Sequence, residues 1–110
     1  MINQQNLLTR LEDENLVQKY LHRFSTDMPI LMQKMQTSLI NHEWAALAIE
    51  AHTYKSQVQY LDDDVSGDLA FEVEKTCADE TPDPDRLQHL LYQLEMQLGL
   101  TLDEIRKITG

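Results

Sequence analysis

The sequence predicts an all-α fold, an antiparallel up-down four-helix bundle with a short additional N-terminal helix, and three observations carry that expectation. Gly and Pro number three each, and seventeen Leu outnumber ten Val plus Ile, a balance that favours helices because unbranched side chains lose less rotamer freedom there. Apolar residues recur at helical rather than alternating spacing over most of the chain. The stretches joining these periodic segments are short, so consecutive helices must fold back on one another to bury their stripes. At 110 residues the chain reads as a single domain, 1–110, large enough to bury about two thirds of its unfolded surface without a disulfide or structural metal.

The apolar cluster Leu7, Leu8 and Leu11 marks the short first helix. The stripe Val17, Leu21, Phe24, Met28, Leu31, Met35 and Leu39 then predicts a long amphipathic segment from about Glu12 to Ile40. Pro29 lies inside it, and because proline removes an amide donor and crowds the preceding turn, either the helix kinks there or a new one starts with Ser25-Thr26-Asp27 offering caps; one kinked helix is expected. The next helix runs from Trp44 to about Leu61, with Asn41 as a cap just upstream and a core stripe of Trp44, Leu47, Ala51, Tyr54, Val58 and Leu61. Asp62-Asp63-Asp64 ends this helix and caps the following one, whose apolar positions are Val65, Leu69, Val73 and Cys77. Glu80-Thr81-Pro82-Asp83-Pro84 is the clearest loop, with Asp83 as N-cap and Pro84 as first helical residue of the last long helix through Leu87, Leu90, Leu91, Leu94 and Leu98. Gly99 is expected to end it, and Thr101-Leu102-Asp103-Glu104 to restart it as a capping box.

Nine basic residues against nineteen acidic give a formal charge of -10, which repels phosphate backbones and anionic headgroups and argues against nucleic-acid or membrane partners. The lone Cys77 forms no internal disulfide and, on an apolar stripe, reads as an inert buried thiol. Met1-Ile2-Asn3-Gln4-Gln5-Asn6 lacks the basic and apolar regions of a signal peptide, and no apolar run approaches the ~20 residues needed to span a bilayer, so a cytoplasmic protein is expected. There is no Gly-rich phosphate loop, and no paired Glu-x-x-His pattern points to a metal.

Against this acidic background one helical turn stands out. Lys55 is the sole Lys or Arg between Met35 and Glu74, a stretch with eight carboxylates, and it follows His52 at i+3. His52, Lys55, Ser56 and Gln59 are spaced i, i+3, i+4, i+7, a polar stripe about 100° from the core stripe. A neutral imidazole, with its reference pKa of ~6.5, is a competent nucleophile near neutral pH and can accept a phosphoryl group on nitrogen. A lysine one turn away would support the negative charge so formed, while Ser56 and Gln59 could donate further hydrogen bonds and a small side chain at 56 leaves room for a partner. His22, His42 and His89 read as ordinary solvated or boundary residues, and Trp44 as a core anchor.

The run His52-Thr53-Tyr54-Lys55-Ser56-Gln57-Val58-Gln59-Tyr60-Leu61 closely resembles the phosphohistidine segment of histidine-containing phosphotransfer (HPt) domains, commonly His-x-hydrophobic-Lys-(Gly or Ser). Phe24-Ser25-Thr26-Asp27-Met28-Pro29-Ile30-Leu31 resembles the family's phenylalanine-to-proline signature, and His42-Glu43-Trp44-Ala45-Ala46-Leu47 its entry to the histidine helix. The resemblance implies a stoichiometric phosphocarrier, not an enzyme, in a two-component phosphorelay. His52 would take a phosphoryl group from a receiver-domain aspartate and pass it to another receiver, with Lys55 as phosphate support. It implies no cofactor on this chain, since Mg²⁺ would sit on the response-regulator receiver, and it implies partners of that class together with a hybrid histidine kinase. Ser56, Gln59, Ile30 and Met32 would contact the partner, the last two as an apolar patch beside His52, and a monomer is expected because His52 must enter a receiver pocket. Asp62 departs from the pattern by standing where many members have Gly to close the helix, and its charge, with Asp63 and Asp64, could weaken phosphate retention or select a receiver with a basic rim. The alternative is a non-catalytic helical adaptor that docks a receiver or kinase without phosphotransfer.

Overall fold

The computed structural model describes residues 2–109, which form five helices in order: α1 (Gln4–Leu11), α2 (Glu14–Ile40), α3 (Trp44–Gln59), α4 (Asp64–Cys77) and α5 (Pro84–Thr109). No strand occurs among the described residues. Polar caps start four of the helices as their residue types dictate: Asn3 accepts from the Asn6 amide, Asp13 from Asn15, Asp63 from Ser66, and Asp83 from Asp85 and Arg86. Only α3 lacks a side-chain cap. Asn41 does not supply one, because it belongs to the end of α2: the His42 amide donates to the Leu39 carbonyl and Glu43 to that of Ser38, the paired bonds of a Schellman ending with His42 at φ 55°.

Pro29 leaves α2 continuous over 27 residues. Neither Ser25 nor Thr26 caps a new helix; their hydroxyls donate back to the Leu21 and His22 carbonyls. The expected break at Gly99 is also absent, and α5 runs unbroken from Pro84 to Thr109. The reason is packing: Leu94, Leu98, Thr101 and Ile105 form one buried stripe across the glycine, and burying each large aliphatic contributes ~1.5–3 kcal/mol, more than the ~1 kcal/mol helical penalty of one Gly. Thr101 therefore turns inward instead of capping a second helix.

Among the described residues α2 packs against α3 and α5, α4 packs against α3 and α5, and α1 lies on α2. The core is built from Leu21, Met28 and Met35 of α2, Leu47, Tyr54 and Val58 of α3, Ala70 and Val73 of α4, and Leu87, Leu94 and Ile105 of α5. In α4 the expected stripe holds at Val73 and Cys77, but over the first two turns the buried face is one residue out of phase with it. Val65 is 56 % exposed and Leu69 half-buried, while Ser66, Ala70, Val73 and Cys77 face inward. Polar bonding at the helix start sets this phase. The Asp63 carboxylate accepts from the Ser66 amide at 3.0 Å and its hydroxyl at 2.6 Å, drawing Ser66 inside, and the Thr101 hydroxyl lies 3.4 Å away. Burial raises the Cys77 thiol to about 11, so it stays protonated. No described helix is long and apolar enough to cross a membrane.

Asp63 thus serves as cap and as the buried polar link from the α3–α4 turn to α5. Asp63→Ala is expected to lower unfolding free energy by about 1–2 kcal/mol in urea denaturation, with Asp63→Asn retaining part of the loss.

Candidate functional site

The turn between α3 and α4 determines what faces His52. The Asp62 amide donates to the Gln59 carbonyl at 3.1 Å and the Asp63 amide to Val58 at 3.2 Å, a Schellman ending that puts Asp62 at φ 54°. This is the left-handed conformation that glycine adopts most readily, and Asp is among the few other residues that tolerate it. Its carboxylate is also held from outside: Asn6 Nδ2 donates to Oδ2 at 2.9 Å and Arg10 donates to Oδ1 at 2.8 Å. Asn6 first, then Arg10, keep the Asp62 carboxyl below its ordinary value against a modest desolvation. Arg10 also donates to the Gln59 carbonyl at 2.7 Å, placing a cation at the negative end of α3. The Asp62 charge is therefore neutralised within the chain and Asp63 is buried, leaving only Asp64 of the three as an exposed carboxylate.

Beyond this turn α4 returns alongside α3. Gly67 approaches Val58, Phe71 lies under Lys55, and Glu74 reaches both Lys55 and His52. His52 Nδ1 is 3.0 Å from Glu74 Oε2, and Lys55 Nζ is 3.1 Å from Glu74 Oε1. One carboxylate thus spans the two residues with an oxygen for each. Partial desolvation pushes the Glu74 carboxyl up, but Lys55 and then His52 outweigh it and leave the group below its ordinary value of 4.5. Ionised at neutral pH, it can only accept, so Nδ1 carries the proton and the Nε2 lone pair is left for solvent or a partner. Because the folded value is lowered, the stabilisation from these bonds is complete above 4.5 and is lost as pH falls through that lower value.

The four predicted polar residues share one region but differ in role. The His52 side chain is 59 % exposed, and Lys55 is only 21 % exposed, with its ammonium 4.8 Å from the Phe71 ring centroid. Lys55 is accordingly a pinned, half-buried cation rather than a free one. Ser56 is exposed, but its hydroxyl donates to the His52 carbonyl at 3.1 Å, and Gln59 is exposed near the helix end. The expected apolar patch of Ile30 and Met32 does not assemble. Met32 is 4 % exposed, because α2 packs on both α3 and α5 and its buried arc is wide enough to include that position. Ile30 is exposed but shares a groove with Ser38 and Glu50 on the α2 side of α3, whereas His52 turns toward α4. The exposed apolar residue one turn before His52 is instead Ile49, 69 % exposed.

Sequence reasoning missed Glu74, Phe71 and Arg10. The available signal for Glu74 was weak: an acid immediately after a buried valine on the helix that follows the histidine helix. Of the four histidines, only His52 has a carboxylate on its ring among the described residues. His42 stacks on half-buried Trp44 with centroids 4.9 Å apart, and His22 and His89 are exposed. No group of three or more His, Cys, Asp or Glu side chains suited to a metal ion occurs among the described residues. Comparison with family models, curated proteins and solved structures finds no match.

The Glu74 contact makes a direct prediction about the resting imidazole. In ¹⁵N NMR near neutral pH, the neutral form of His52 should be the Nδ1–H tautomer, and Glu74→Ala should return it to a mixture of both. An Nε2–H tautomer in the unsubstituted chain would contradict the assigned bond.

Proposed function

We propose that this chain is an HPt-like phosphotransfer protein of a two-component phosphorelay, with α2–α5 as an antiparallel up-down four-helix bundle and α1 as an additional N-terminal helix. His52 accepts a phosphoryl group from a receiver-domain aspartate and passes it to another receiver in the cytoplasm. The observation that carries this reading is the bond between Glu74 and Nδ1 of an imidazole that is 59 % exposed. A carboxylate behind the ring fixes its orientation and tautomer, and the opposite nitrogen is the one a partner can reach.

In the transfer the Nε2 lone pair attacks phosphorus, the bond from phosphorus to the aspartyl oxygen breaks, and that electron pair leaves with the aspartate carboxylate. The ring becomes an imidazolium whose Nδ1–H remains bonded to Glu74, so the carboxylate stabilises positive charge as it develops. The chain contributes nucleophile and alignment, while the receiver contributes Mg²⁺ and the rest of the charge stabilisation. Lys55, with Glu74 on one side and Phe71 beneath it, supports the phosphoryl oxygens from a fixed position. Ile49, Thr53, Ser56 and Gln59 are the exposed α3 residues around His52 and form the surface that meets the receiver. Arg10 and Asn6 hold Asp62 out of this exchange, so its charge does not repel the incoming phosphate.

Incubation with a phosphorylated receiver and Mg²⁺ should place acid-labile, base-stable phosphate on the chain. His52→Gln should carry none; equal labelling of that variant, or no labelling of the unsubstituted chain, overturns the reading. Lys55→Ala should slow transfer about fivefold, the equivalent of ~1 kcal/mol, and Glu74→Ala about ten- to a hundredfold, the scale known for removing a carboxylate that orients a metal-bound histidine.

A further inference from the structure

The outward face of α5 carries a pattern that bundle packing does not use. Tyr92, Met96 and Leu100 are 64, 57 and 63 % exposed, and their i, i+4, i+8 spacing makes them one continuous apolar ridge. Polar residues extend this ridge at both ends. Asp85 and His89 precede it and Asp103 and Lys107 follow it, all exposed and all on the same side of the helix.

The order is self-complementary. From Asp85 to Lys107 the steps between these residues are 4, 3, 4, 4, 3 and 4, the same read in either direction from Met96. An average step close to the 3.6-residue turn keeps the whole set on one face of a straight helix. If a second copy of α5 lies antiparallel with Met96 opposite Met96, each Tyr92 meets a Leu100. His89 then faces Asp103 and Asp85 faces Lys107, each pair occurring twice by symmetry. A parallel arrangement would instead set Asp85 against Asp85 and Lys107 against Lys107. The only ion pair Asp103 makes among the described residues is an exposed one with Arg106 at 3.4 Å, weak enough to exchange.

We propose that this face of α5 is an isologous dimer interface, formed by antiparallel pairing of two copies about Met96. One helix-on-helix contact belongs at the small end of specific interfaces, so association is reversible and concentration-dependent. The pairing leaves His52 of both copies accessible: it is on α3, and among the described residues no Cα of α3 comes within 8 Å of one on α5. The inference is independent of the phosphotransfer reading, and replaces the expectation of a monomer that came with it.

Sedimentation equilibrium of the full chain at physiological salt, from low micromolar to near-millimolar concentration, tests this. The mass should rise from 12.8 kDa toward twice that value. Met96→Glu, a substitution at an exposed helical position that circular dichroism can check for intact folding, should remain at the monomer mass. Lys107→Asp should weaken association about tenfold by placing like charges opposite Asp85, and adding Asp85→Lys should restore it. A chain that stays monomeric throughout overturns the proposal. So does association that Met96→Glu leaves unchanged, or a double charge reversal that fails to restore pairing.

Discussion

The reversal at Asp62 and Asp63 is the constraint on which the rest of the site depends. Two backbone bonds close α3 with Asp62 in the left-handed region, and Asp63 starts α4 by binding both the amide and the hydroxyl of Ser66. These bonds fix the rotational phase of α4 as well as its starting point. A phase one residue different would move Val73 off the core and turn Glu74 away from α3. With the observed phase, Phe71 and Glu74 lie one above the other beside Lys55 and His52. The α1 helix reinforces the same corner, since Asn6 and Arg10 hold the Asp62 side chain and Arg10 also caps the Gln59 carbonyl.

Electrostatics around His52 are local despite the charge of -10. Glu74 would repel an approaching phosphoryl group if it stood alone, but it is bonded to Lys55 on one oxygen and to the imidazole on the other. The three groups together are close to neutral when the ring is uncharged. In the proposed transfer the ring would become cationic with the carboxylate already in place to balance it, and no side chain would need to reorganise. Phe71 limits the freedom of Lys55 from below, which would reduce the entropy lost if the ammonium meets phosphate oxygens as proposed.

Much of the fold was legible because it rests on local chemistry. Asp83-Pro84 begins α5 as the residue types require, and the stripes of α2 and α3 bury largely as their periodicity indicates. Errors arose where a tertiary contact outranked a local preference. Gly99 remained helical because Leu98, Thr101 and Ile105 bury on one face, and Met32 was buried because α2 has two large neighbours. In α4, Asp63 pulled polar Ser66 into the interior and left Val65 outside, a reversal of the hydrophobicity order. His52, Lys55, Ser56 and Gln59 could be grouped on one stripe because that grouping needs only helical geometry. Glu74 could not be found this way, since its proximity depends on the register between two helices, which neither helix encodes alone.

In the proposed role Glu74, by holding Nδ1–H, commits Nε2 of His52 to phosphoryl transfer. Its most direct test is ³¹P and ¹⁵N NMR of the phosphorylated chain, which identifies the nitrogen bonded to phosphorus. A single phosphorus-nitrogen bond at Nε2 of His52 is expected, with Nδ1 still protonated. Phosphorus on Nδ1 of His52, or on any other histidine, would contradict it.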